Sequence, residues 1–125
     1  MFITNKIKQK KTKTFERCVK MNKEEVAMVG FEIVAYSGEA RSKFLNAINN
    51  LRDGGSMEES EKLIKEGEAS LTKAHKSQTE LLAKEAGGEN IELGFIFVHG
   101  QDHLMTTVLL KDILQHLLNI YRNEE

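Results

Sequence analysis

Proline and tryptophan are absent from this 125-residue chain, and cysteine occurs once. With six Phe and two Tyr as its aromatic complement, the composition favours helices over a sandwich or barrel. Cys18 has no partner for an internal disulfide, which points to a reducing cytoplasm. No apolar run approaches the ~18 residues needed to span a bilayer, and no stretch reads as a secretory signal. There is also no glycine-rich phosphate loop, nucleophile elbow, cysteine pair for zinc or dinucleotide fingerprint.

What is present is an ordinary balance of 40% hydrophobic and 30% charged residues, enough for one domain. The charge is uneven. Residues 1–20 hold seven Lys/Arg and one Glu, net +6, so the remainder carries net −7. A basic arm suits RNA or acidic lipid, but it reads more simply as a disordered extension ahead of a start at Met21, and no function is assigned to it. The expected division is a basic extension over 1–21 and a helical domain over 22–123. The acidic body argues against nucleic acid.

Apolar or small residues recur at Val26, Gly30, Ile33, Ser37, Ala40, Phe44, Ala47 and Leu51, the alternating four-three spacing of a helix seam. Asn22 with Glu25 forms a capping-box pattern, and Asp53-Gly54-Gly55 ends the helix. A second helix begins at Ser56, with Glu59 at the third position. It carries Ile64, Gly67, Leu71, Ala74, Gln78 and Leu81, and stops near Gly87-Gly88. A third runs from after Asn90 to about Arg122. Short loops between long helices predict an all-α, antiparallel three-helix bundle.

The third helix has two stripes. Ile96, Gly100, His103, Thr107, Leu110, Leu114, Leu117 and Tyr121 are expected to pack on the partner helices. Phe95, Val98, Asp102, Met105, Leu109, Ile113 and Ile120 would then face water unless copies of the chain associate. Asp102 is the one charge in that second stripe. If identical helices met there, their carboxylates would converge and require a proton or a hard cation such as magnesium.

The decapeptide Val98–Thr107 concentrates the chemistry. His99, Asp102 and His103 share an arc of about 100° on the helix, in a setting where unpaired ionisable groups are costly. His99 and His103 have the four-residue spacing of zinc ligands, with no third ligand evident in the sequence. Gly100 implies close approach by another backbone or by a partner, since a mid-helix glycine costs roughly 1 kcal/mol relative to Ala. On the second helix, His75 and Gln78 share a face and read as an interhelical hydrogen-bonding pair. Gly38 to Ser42 reads as small-residue packing with Arg41 available to an anion, and His116 as a last-turn cation.

Three segments, Gly30–Ser42, Ala74–Thr79 and Val98–Thr107, closely resemble the lactose/cellobiose class of IIA components of the bacterial sugar phosphotransferase system. The resemblance spans about residues 22–123. It implies a cytoplasmic phosphocarrier that takes a phosphoryl group from the histidine-containing protein HPr and passes it to a cysteine of a IIB component. That component phosphorylates a disaccharide entering through membrane-bound IIC. Carried over by position, His99 is the phosphorylated residue, reacting through Nε2. Asp102 matches a residue at the three-fold axis of a trimer, where three carboxylates share one metal ion, and the fold implied is a nine-helix homotrimer. His103, Gln101, His75 and Gln78 are the candidates for steadying the phosphoryl group. The sugar stays open among cellobiose, lactose and chitobiose types, with cellobiose slightly favoured. The competing readings are a non-catalytic helical oligomer that serves as an interaction module, and a metal-dependent hydrolase using His99 and His103.

Overall fold

The computed structural model describes residues 20–124; residues 1–19 of the basic arm, including Cys18, lie outside the described residues. In chain order the elements are β1 (Lys20–Met21), α1 (Lys23–Arg52), α2 (Met57–Ala86), β2 (Asn90–Ile91) and α3 (Phe95–Glu124). Each helix is 30 residues long, roughly 45 Å at 1.5 Å per residue. α1 packs along both other helices, whereas α2 and α3 barely touch. The three helices form the expected all-α bundle with α1 as its spine.

The helix ends follow from local chemistry. Asn22 accepts from the Glu25 backbone N–H at 2.9 Å, and Glu25 accepts in return from the Asn22 N–H at 3.3 Å, completing the capping box. Ser56 caps α2 by accepting from the Glu59 N–H at 3.1 Å. Gly54 and Gly88, at φ +85° and +97°, take the left-handed turns that release α1 and α2. Asn50 locks the first turn: its amide donates to the Ser56 carbonyl and to Ser60 Oγ, and the Ser60 hydroxyl donates to the Ala47 carbonyl.

The seams of α1 and α2 bury the residues their spacing predicts, from Val26 through Ala47 and from Ile64 through Leu81. Leu51 and Gln78, at the margins, are half-buried. Two glycines set how closely the helices lie. A methyl group at Gly67 would sit 2.6 Å from Phe44 Cε1, and one at Gly30 would sit 2.9 Å from the Phe97 backbone. Outside the core, the Lys43 ammonium donates to Glu66 at 2.7 Å. That hydrogen bond, helped by the charge itself, holds the Glu66 carboxyl below its usual range. The pair therefore supports the fold at neutral pH, and its support fades as pH falls through the carboxylate range.

α3 departs from expectation in three ways. Its buried residues are Phe97, Gly100, Leu104, Thr107, Leu114 and Leu118, so the packed face is turned by roughly 50° from the predicted stripe. Leu117 is exposed, and Ile96, His103, Leu110 and Tyr121 are half-buried. The cause is the contact of Gly30 with the Phe97 backbone, which seats α3 against α1 rather than evenly between α1 and α2. Second, α3 begins at Phe95, because Asn90–Ile91 pairs instead in parallel with Lys20–Met21. Two-residue strands carry no period that a sequence pattern could reveal. Third, His116 lies about two turns before the end of α3, and Arg122 is the basic residue of the last turn.

Two stability effects of opposite sign are expected from this core. Gly67→Ala forces a methyl group into the fully buried Phe44 ring and should cost about 1–3 kcal/mol by urea unfolding. Ser37 is 0% exposed and its hydroxyl has no hydrogen-bond partner. Ser37→Ala removes that unmet desolvation and should raise the unfolding midpoint, by up to about 1 kcal/mol.

Candidate functional site

The site is built from the first four turns of α3. Gly100 is buried, and a methyl group there would lie 2.9 Å from the Gly30 carbonyl and 3.4 Å from Ile33 Cβ. The close approach that Gly100 implied is therefore made by α1 of the same chain. With Gly100 pressed on α1, His99 one residue earlier turns about 100° away from that contact and is exposed. His103, one turn on, is half-buried and meets the His99 ring edge-on, with centroids 4.6 Å apart and an interplanar angle of 76°. Thr107 is buried and donates to the His103 carbonyl at 2.6 Å. Thr106 likewise donates to the Asp102 carbonyl at 2.6 Å.

Asp102 points elsewhere. It is exposed, and among the described residues it makes no ion pair or side-chain hydrogen bond to either histidine. It sits midway along the outer stripe of α3, roughly opposite Gly100. The apolar members of that stripe stay uncovered among the described residues: Phe95 is 87% exposed, Leu109 58% and Met105 55%. The second stripe is thus as unpartnered as its pattern predicts. Among the described residues no cluster of three His, Cys, Asp or Glu side chains is placed to hold a metal. Among the described residues His99 and His103 have no third zinc ligand, and Asp102 has no second carboxylate beside it to share an ion.

Gln101, Gln78 and His75 do not join His99. Gln101 lies about 200° around α3 from His99, on the flank facing α2, where Gln78 Nε2 donates to Gln101 Oε1 at 2.6 Å. Gln78 thus makes the interhelical hydrogen bond that its spacing suggested, whereas His75 takes no part in it. His75 is exposed and lines a groove of about 420 Å³ between α2 and α3, with Thr72, Met105 and Lys111. The sequence reading missed Gly30 as part of the site. The signal was a glycine within the buried seam of a long helix, the same kind that drew attention to Gly100.

The site is thus an exposed imidazole on a helix fixed by a glycine contact, bordered by uncovered apolar surface. The comparisons make this specific. The family model for the lactose/cellobiose-specific IIA subunit of the phosphotransferase system matches residues 28–122. The lactose-specific EIIA component of Streptococcus mutans is 52% identical over 102 residues, covering 82% of this chain and 97% of that protein. The Lactococcus lactis protein of the same name is 47% identical, with 82% and 96% covered. The solved structure of PtcA from S. mutans superposes with a TM-score of 0.78 at 39% identity, covering 82% of this chain and 99% of that one. The cellobiose-specific enzyme IIA of Bacillus anthracis gives a TM-score of 0.73 at 30% identity, with 82% and 92% covered. The chain belongs to the lactose/cellobiose-specific IIA family of the phosphotransferase system. Among the described residues, no helix is long and apolar enough to cross a membrane.

Gly100→Ala tests how the site is held. The added methyl must push α3 off the Gly30 carbonyl, so the variant should lose about 1–3 kcal/mol by chemical denaturation. Its His99 ring should also move, which a change in the His99 and His103 ring resonances by NMR would report.

Proposed function

We propose that this chain is a cytoplasmic phosphocarrier in which His99 is the covalent intermediate. The carrying observation is the exposure of His99 on a helix fixed by Gly100. Phosphoryl transfer asks chiefly for in-line positioning and charge stabilisation, and an exposed neutral imidazole is a competent nucleophile near pH 7. Nε2 of His99 attacks the phosphorus carried by phospho-HPr. The new P–N bond forms as the donor's P–N bond breaks, and the donor imidazole leaves with the electron pair. In the second step a cysteine thiolate of IIB attacks the same phosphorus, and the His99 imidazole leaves in turn. His103, in edge contact with His99, is placed to donate a hydrogen bond to the phosphoryl oxygens.

The working form in this reading is a homotrimer, nine helices in all, joined along the outer stripe of α3. Three Asp102 carboxylates would then meet on the axis. Their oxygen-only donor set suits Mg²⁺ or a similar hard divalent ion, which would offset their mutual repulsion. Such packing also gives Gln101, Gln78 and His75 a role, since the α2-facing flank of one α3 would face the His99 flank of the next. The sugar is taken up through IIC and phosphorylated by IIB. The lactose-specific relatives at 47–52% identity, against 30% for the cellobiose-specific structure, favour a lactose-type system over the cellobiose type favoured by the motifs.

Incubation with phosphoenolpyruvate, Enzyme I and HPr should add one acid-labile phosphoryl group per chain, measured by intact mass. His99→Ala should gain none while keeping its helical circular dichroism. A His99→Ala chain that still relayed phosphate to IIB would refute the assignment. A wild-type chain that took up none would favour the interaction-module reading.

A further inference from the structure

The β1–β2 ladder gives the basic arm a fixed origin. Lys20 pairs with Asn90, beside the pairing of Met21 with Ile91, so the residue ahead of Met21 belongs to the fold. A chain that started at Met21 would lose one of the two pairs. The relatives do not share the arm: 102 matched residues fill 97% of the S. mutans protein, and the family model begins at residue 28. The arm is an addition to a body that already has the family's size.

Its composition selects a partner. Residues 1–20 are net +6, and six of their seven cations are lysine. Phe2, Ile3, Ile7, Phe15 and Val19 stand among those cations. Lysines interleaved with bulky apolar residues suit a bilayer surface, where the cations attract acidic headgroups and the apolar side chains enter the interface. Nucleic acid would take up the lysines but has no use for the isoleucines, and Arg17 is the one guanidinium fork on offer.

The place where the arm leaves the bundle fits the same surface. Leu93, just ahead of α3, is 60% exposed. The exposed Lys23 side chain lies along the next residue, since a methyl group at Gly94 would stand 3.6 Å from Lys23 Cε. An apolar side chain beside a lysine stem can meet the headgroup layer while the ammonium stays in water. Glu24, Glu25, Glu89 and Glu92 share this end and oppose the attraction without cancelling the charge of the arm.

We propose that residues 1–20 anchor this chain to an anionic lipid bilayer, with the Leu93 end of the bundle toward the membrane. A carrier held at the surface where its phosphoryl group is consumed meets its acceptor at a higher local concentration. That benefit rests on the carrier reading above; the anchoring does not. In the homotrimer proposed above, rotation about an axis along α3 keeps the three arm origins at one end, so three arms meet one bilayer.

Flotation of the full chain with lipid vesicles tests this. Phosphatidylcholine vesicles with about a third phosphatidylglycerol should carry the chain at about 0.1 M NaCl, and binding should fall roughly tenfold or more at about 0.5 M. Vesicles of phosphatidylcholine alone should carry roughly a tenth as much or less. The combined Lys6→Gln, Lys8→Gln, Lys10→Gln, Lys11→Gln and Lys13→Gln variant should lose binding roughly tenfold or more, yet accept phosphate from phospho-HPr at the wild-type rate in vesicle-free solution. Leu93→Ser should bind about threefold more weakly with an unchanged sedimentation coefficient. Equal binding by the five-fold variant, or binding indifferent to phosphatidylglycerol, overturns the anchor, and unchanged binding by Leu93→Ser overturns the orientation. Tighter binding to a poly(U) oligonucleotide than to vesicles overturns the proposal by assigning the arm to RNA. Protein purified from its host should have the mass of a chain beginning at Met1; one beginning at Met21 overturns the proposal as well. A wild-type chain that accepts no phosphate defeats the carrier reading and leaves the flotation result intact.

Discussion

The close passage of α1 over α3 at Gly30 and Gly100 is the constraint on which the rest of this structure depends. Backbone lies against backbone there, with no side chain between. Because α3 is held by its own main chain, the direction of every residue on it is fixed relative to α1. His99 is turned outward, Gln101 toward α2 and Asp102 away from both. A contact between flexible side chains would leave that rotation softer. Close-packed interiors transmit such constraints because few voids exist to absorb them.

Three consequences of that rotation fit one another. The His99 imidazole is exposed but leans on a half-buried neighbour, so ring mobility is limited without loss of access. The apolar stripe is left bare, and burying it between copies follows the ordinary hydrophobic drive. The carboxylate within the stripe makes no ion pair among the described residues. α2 contributes through its groove and its glutamine rather than by covering α3.

Much of this was legible in the sequence, for identifiable reasons. The seams of α1 and α2 repeat at helical spacing over about seven and five turns, and Asn22, Ser56, Gly54 and Gly88 announce the ends by chemistry that acts within a few residues. α3 was harder. Its apolar residues nearly encircle the helix, so periodicity alone could not decide which arc faces inward, and the answer depended on a glycine 70 residues earlier. That Gln78 would bond across to Gln101 in particular was not legible, because a side chain's companion across a bundle depends on helix rotation, which neighbours in sequence do not report. His99 stood out because an imidazole, a glycine, a carboxylate and a second imidazole within five positions is an expensive combination for an otherwise apolar helix. The β1–β2 pairing left no trace at all.

That small ladder has a mechanical consequence. Lys20–Met21 is hydrogen-bonded beside Asn90–Ile91, the Glu92 N–H donates to the Met21 carbonyl, and Phe95 opens α3 three residues beyond. Any load applied ahead of Lys20, whether from a fused tag or a natural leader, is therefore delivered to the root of α3, little more than one turn below His99. A label attached at Lys20 is not a remote one, whereas Arg122 lies about 35 Å of helix away from the His99 ring.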